Sequence, residues 1–158
     1  MDSLHVWKNS LGGTPHAAIP LDDGNTIFAS DGSSVSRWIV DAGRVETVSF
    51  EGNSAYQEAI LSVSISPNGR LVATAASDRT VTIWQAKDGK ALWGPLEGHA
   101  DGIYALCFST DSKMIVSGSD DRNVRIWSAE TGQSICGPME GHTGSVKGVC
   151  FRCIITLF

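Results

Sequence analysis

The sequence predicts an all-β chain built from a repeating unit, each unit made of four short antiparallel strands. Three observations carry this. GPLEGHADGIYALCF, from Gly94 to Phe108, returns 43 residues later as GPMEGHTGSVKGVCF, from Gly137 to Phe151. The runs SDRTVTIW and DDRNVRIW end at Trp84 and Trp127, which are also 43 residues apart. Short β-rich segments alternate with Gly, Asp, Asn and Ser turns along the chain, and no helical hydrophobic period interrupts them. Two landmarks with one period of about 40–45 residues mark a repeat architecture.

The units follow in order. Residues 1–13 read as the end of a preceding unit: Leu4, Val6 and Trp7 match Val81, Ile83 and Trp84 in type. Residues 14–52 form a degenerate unit. Its expected strands are Ile19–Leu21, Thr26–Ser30, Val35–Val40 with Trp38, and Val45–Phe50, separated by Asp- and Gly-containing turns. Residues 53–97 form a clearer unit, with strands at Ile60–Ile65, Leu71–Ala75, Val81–Gln85 and Lys90–Trp93. Residues 98–140 repeat the plan at Ile103–Phe108, Met114–Ser119, Val124–Ser128 and Gln133–Cys136. Residues 141–158 read as the first strand of a truncated unit followed by an atypical tail. After Cys107-Phe108 comes a polar turn, whereas after Cys150-Phe151 comes the apolar RCIITLF. The stretch Gly94–Glu97 is expected to leave one unit and Gly98-His99 to enter the next.

Composition narrows the classes. The chain has 158 residues, 42% apolar and 18% charged, enough for a globular core. A net charge of −5 and a pI near 5.2 argue against a general nucleic-acid binder, which carries a basic face. No apolar run approaches the roughly 20 residues that cross a bilayer, so no membrane role is expected. Met1-Asp2-Ser3 opens without a basic segment and apolar run, so a reducing cytoplasmic setting, or the nucleus, is expected. Cys107 and Cys150 share one repeat position and read as small apolar strand residues. Cys150 and Cys153 form a single CxxC without a second pair, and His5, His16, His99 and His142 lack close ligand spacing. Neither pattern makes a metal site. No cofactor is expected.

Four strands per unit, a Gly-His before the first and a Trp in the third resemble the WD40 repeats of β-propellers. The resemblance runs over about residues 17–151 and is strongest from 60 to 151. It implies a partial propeller of about three to three and a half blades, with the ring not closed within this chain. It also implies a structural tetrad in each blade, which the third unit matches in full with His99, Ser117, Asp121 and Trp127. The second unit keeps Thr74, Asp78 and Trp84, but Tyr56 stands at the His position and Ala55 at the Gly. In the first unit Trp38 remains, while Phe28 and Gly32 occupy the Ser/Thr and Asp positions unless Asp31 shifts by one. In the fourth only His142 is present. An Asp in a tight turn can orient an imidazole whose other nitrogen meets a Ser hydroxyl, which in turn meets an indole N–H. On paper this set also looks like a Ser-His-Asp catalytic triad. The repeat accounts for every member, however, and no oxyanion-hole motif accompanies it.

Gln85 and Ser128 follow the two tryptophans where the family's usual Asp would stand, which lowers the reading of a ubiquitin-ligase adaptor. The GPxEGH-joined units resemble long WD40 arrays of fungal proteins, some attached to NACHT-type modules. No GxxxxGK[ST] phosphate loop is present.

The resemblance implies a non-catalytic scaffold for other proteins or peptides, with no small-molecule substrate. Loops carry recognition because they vary on a rigid frame. Arg79, Tyr104, Arg122 and Lys147 are the candidate binding surface, with Arg70 and Lys113 as further exposed loop cations. Against this, Arg79 and Arg122 can simply brace their own turns. Other readings are a sensor or regulatory portion of a larger signalling protein and, in another class, a propeller hydrolase using carboxylates such as Asp22-Asp23 or Asp120-Asp121. Those acids read first as turn chemistry. An open stack leaves apolar faces bare. It implies a piece of a longer propeller, a chain that self-associates or takes missing blades from a partner, or a remnant.

Overall fold

Period-two apolar patterning, punctuated by turns, folds the described chain into three four-stranded antiparallel sheets. The structure is a computed structural model and describes residues 17–20, 26–30, 35–41, 44–50 and 59–151. The first sheet contains β1 (Ala17–Pro20), β2 (Thr26–Ser30), β3 (Val35–Asp41) and β4 (Arg44–Phe50). The second contains β5 (Ile60–Ile65), β6 (Leu71–Ala76), β7 (Val81–Gln85) and β8 (Ala91–Leu96). The third contains β9 (Ile103–Phe108), β10 (Met114–Ser119), β11 (Val124–Ser128) and β12 (Ser134–Met139). Each sheet is a meander in chain order. The first strands β1, β5 and β9 lie side by side, so the sheets stand like adjacent blades, and the ring is not closed.

The core lies between the sheets. Phe28 and Val35 of the first sheet pack with Ile60, Val63, Val72, Trp84 and Ala86 of the second. Ala73, Ala75, Val81 and Ile83 of the second pack with Ile103, Phe108, Ile115 and Trp127 of the third. Strand alternation sets this division: adjacent Ile83 and Trp84 point to opposite faces and therefore into different cores. Polar ties cross the second interface, where Phe108 N donates to Ser64 Oγ at 3.3 Å and Asn68 N to Ser112 Oγ at 3.2 Å. Removing such apolar surface from water is the main source of stability in a stacked repeat.

The turns use side-chain acceptors. Asn68 Oδ1 accepts from Arg70 N, and Asp111 Oδ1 accepts from Lys113 N, each at 3.0 Å. Two glycines mark close approaches between units. A Cβ on Gly118 would lie 2.7 Å from Val146 Cγ1, and one on Gly132, at φ +70°, would lie 2.8 Å from Trp93 Cβ.

Two expectations need correcting. The outer strands run further than expected: β8 ends at Leu96 and β12 at Met139, so Gly94-Pro95-Leu96 belongs to the second sheet and does not leave it. Proline has no N–H to donate, but an edge strand has one side without a neighbour and tolerates it. Register shifts between Ile83 and Trp84, and between Val81 and Ile83, carry the ladder from Ala91 through Trp93 to Leu96. Residues 141–151, where the first strand of a truncated unit is expected, pair with no strand among the described residues. Val146 N donates to Ser119 O at 2.9 Å, and its buried side chain packs over Gly118. Finally, β1 covers Ala17–Pro20, two residues earlier than expected. Residues 1–16, Asp31, Gly32, Ala55, Tyr56 and the tail 152–158 lie outside the described residues.

Candidate functional site

Four elements assemble the polar set of the third sheet. The β8–β9 connection carries His99, β10 carries Ser117, the β10–β11 turn carries Asp121, and β11 carries Trp127. His99 Nδ1 lies 2.8 Å from Asp121 Oδ2, and Nε2 lies 2.8 Å from Ser117 Oγ. Trp127 Nε1 donates to the same Ser117 Oγ at 2.9 Å. The consistent donor assignment puts the ring proton on Nδ1, so that Nε2 accepts from the Ser117 hydroxyl. Asp121 has further duties: Oδ2 also accepts from Ala100 N at 2.8 Å, and Oδ1 accepts from Asn123 N at 2.9 Å. The buried polar side-chain atoms of His99, Ser117, Asp121 and Trp127 all find partners, whereas the nearby Arg125 Nε is buried without an acceptor among the described residues.

Charge states follow from the environment. Burial pushes the His99 imidazole below its ordinary value of 6.5, against the Asp121 hydrogen bond that raises it. Burial would raise the Asp121 carboxyl. Hydrogen bonds from Ala100 N, His99 and Asn123 N outweigh this and hold it below 3.8. A neutral imidazole therefore faces a carboxylate at neutral pH. The His99 side chain is 0% exposed and Ser117 is 0% exposed, so no substrate reaches the hydroxyl. Ser117 Oγ also accepts the Trp127 N–H, which takes one of its two lone pairs. The geometry is that of a brace.

The second sheet holds a smaller version. Trp84 Nε1 donates to Thr74 Oγ1 at 2.9 Å. Asp78 Oδ1 accepts from Thr80 N at 3.0 Å and from Thr80 Oγ1 at 2.7 Å, so it closes its own turn.

Antiparallel meandering sorts the loop candidates to two ends. Arg79, Tyr104, Arg122 and Lys147 share the end that carries His99, whereas Arg70 and Lys113 lie in the β5–β6 and β9–β10 turns at the other end. Arg79 and Arg122 adopt φ of 73° and 69°. This left-handed conformation costs an L residue about 1–2 kcal/mol. Their backbones close the turns, with Arg79 N donating to Ala76 O and Arg122 N to Ser119 O, while the residues themselves are exposed. Arg122 also borders a cleft of about 360 Å³ with Asp121, Asn123, Glu140, Gly141 and His142.

Tyr104 and Lys147, which stand one repeat apart, meet. Lys147 Nζ lies 3.1 Å from the centroid of the Tyr104 ring and 2.5 Å from Asp120 Oδ1. Hydrogen bonds from Lys147 and Ser145 hold the Asp120 carboxyl below its ordinary value. The sequence assigned Tyr104 and Lys147 to one equivalent position. It carried no sign that they touch or that Asp120 joins them, since positions one period apart become neighbours only when units stack. Among the described residues no three His, Cys, Asp or Glu side chains cluster as metal ligands. Cys107, Cys136 and Cys150 are free thiols, and Cys153 lies outside the described residues.

Comparison with known proteins places this geometry. The family model for the WD domain, G-beta repeat, matches residues 44–85 and 91–128. Each match takes the outermost strand of one sheet and the three inner strands of the next, so the sequence unit ties two sheets together. No curated protein sequence matches. The chain is similar to the crystal structure of RRP9 WD40 repeats and to the structure of U3-55K, each with a TM-score of 0.78 and 22% identity. Both alignments cover 88% of this chain but 42% and 43% of those chains, so it spans less than half their length.

Proposed function

The chain belongs to the WD40 repeat family, and from that premise we propose that it serves as a non-catalytic scaffold for protein–protein interaction. The carrying observation is the contrast at the His99 end. A fully satisfied, buried brace fixes the third sheet, and directly outside it stand Tyr104, Lys147 and Arg122, each exposed. Rigid support beneath exposed aromatic and cationic side chains favours recognition, because little conformational entropy is then lost on binding. Tyr and Arg are also the side chains that dominate binding energy at protein interfaces. The buried serine and histidine favour this role over hydrolysis. We place the protein in the cytoplasm or nucleus, with proteins or peptides as its partners.

The test compares the two ends. Partners recovered by the wild-type chain are quantified for Tyr104→Ala and Arg122→Ala, and for Lys113→Ala at the far end. Loss with the first two alone supports the reading. Equal loss from all three, or recovery no better than with unfolded chain, contradicts it.

A second reading, that further blades cover the third sheet, is favoured by Ile126. Its counterpart Ile83 is 0% exposed against the third sheet, while Ile126 is half-buried. A second copy or additional WD40 units would cover it. Light scattering decides on self-association: a folded monomer of 16.8 kDa rules out pairing with a second copy.

A further inference from the structure

Arg37 breaks the repeat. One place before Trp38, Trp84 and Trp127 stand Arg37, Ile83 and Ile126. Ile83 is wholly buried between the second and third sheets. At the corresponding place between the first and second sheets, Arg37 reaches across the interface, and its Nη1 donates to Ala86 O at 2.7 Å. That tie uses one edge of the guanidinium. Arg37 Nε is buried and meets no acceptor among the described residues. A cationic N–H without an acceptor is costly to bury, so a purely structural role would be served better by the isoleucine of the next unit.

Arg37 lines a cleft of about 460 Å³ together with Arg70, Leu71, Gln85, Lys87 and Leu92. Among the described residues three cations line it and no acid does. One interface further on, the equivalent residues are Ile83 for Arg37, Lys113 for Arg70 and Glu130 for Lys87. There the charges cancel. The positive cleft is therefore a feature of this one interface and does not follow from the repeat.

We infer that this cleft binds a phosphate monoester presented on a partner protein, as a phosphorylated serine or threonine. Three cations suit a group carrying nearly two negative charges, and the planar fork of an arginine matches phosphate oxygens. Gln85 adds a neutral donor, and Leu71 and Leu92 offer apolar walls to the flanking peptide. The net charge of −5 opposes a polyanionic membrane or nucleic acid approaching as a surface. A single phosphorylated side chain enters the local field only. The cleft lies at the strand ends opposite His99, so the inference stands whichever way the recognition surface there is decided.

The test titrates the full chain with a capped tripeptide holding a central phosphoserine, with its unphosphorylated twin, and with phosphatidylserine vesicles. Amide shifts of Gly69, Leu71 and Gln85 are followed by NMR. Saturable binding of the phosphopeptide alone is expected. It weakens at least about tenfold in Arg37→Ile and in Lys87→Glu, and is unchanged in Lys113→Gln. Ile and Glu are the residues the next unit carries at these positions, and exposed Lys87 provides a variant that leaves the core intact. Undiminished affinity in both variants, or equal binding of the unphosphorylated twin, overturns the inference. Variant-sensitive binding of the vesicles without binding of the phosphopeptide overturns it in favour of a lipid surface.

Discussion

The second and third sheets share strand order, spacing and turn chemistry, and they differ in how far their polar residues reach. In the third, Asp121 divides its labour: Oδ1 closes the β10–β11 turn, and Oδ2 holds His99 and the Ala100 amide. In the second, Asp78 Oδ1 performs the same turn closure, and the Trp84–Thr74 bond stands without a described histidine link. Turn closure is local and survives the replacement of histidine by tyrosine. The link across the sheet is long-range and requires a side chain with two ring nitrogens on opposite edges. Apolar burial between sheets holds both blades alongside these polar ties.

The comparison can be broken from several directions. The largest effect is expected from His99→Ala, which takes one donor from Asp121 Oδ2 and the acceptor from the Ser117 hydroxyl, and opens a cavity. We expect a loss of roughly 3 kcal/mol in urea unfolding. Next, Ser117→Ala removes the acceptor of Trp127 and the donor to His99 and should cost roughly 2 kcal/mol. The matched Thr74→Val in the second sheet removes one acceptor of the Trp84 N–H and should cost about 1 kcal/mol. Equal costs in the two sheets would erase the distinction.

Acid sharpens it further. Because His99 titrates lower in the folded state than its ordinary 6.5, the unfolded chain binds the proton first. Stability is fully present above about 6.5 and declines as the pH falls below it, towards the folded value. Asp121 adds a second decline beginning below 3.8, where the unfolded carboxyl protonates first. Unfolding midpoints against pH should therefore lose the upper step in His99→Ala and keep it in Thr74→Val. The smallest effect is expected at the surface. Lys147→Ala should leave the urea midpoint unchanged, since Asp120 and Lys147 are open to solvent, while changing partner recovery.

Much of the fold was legible because it is written in local terms. Ile60–Ile65, Val81–Gln85, Ile103–Phe108, Met114–Ser119 and Val124–Ser128 all lie at the expected bounds, where β-rich runs meet Asp and Gly turns. The outer strands were misplaced because Gly94-Pro95 and Gly137-Pro138 look like breaks, and an edge strand's tolerance of proline is a property of the sheet. The members of the third polar set were legible through a family pattern; the duties of Asp121 Oδ1 at Asn123 and of Oδ2 at Ala100 were not. The Tyr104–Lys147–Asp120 contact and the Arg37 cleft were hidden for one reason. Both lie between units, and a sequence read unit by unit shows interface residues only as variation.

A double-mutant cycle between His99→Ala and Asp121→Asn tests the central claim, that the buried set is a brace coupled through histidine, with His99→Ala against Asp78→Asn as the reference cycle. The account predicts a coupling of roughly 1–3 kcal/mol in the first cycle and additivity in the second. Additivity in the first cycle, or equal coupling in both, would contradict it.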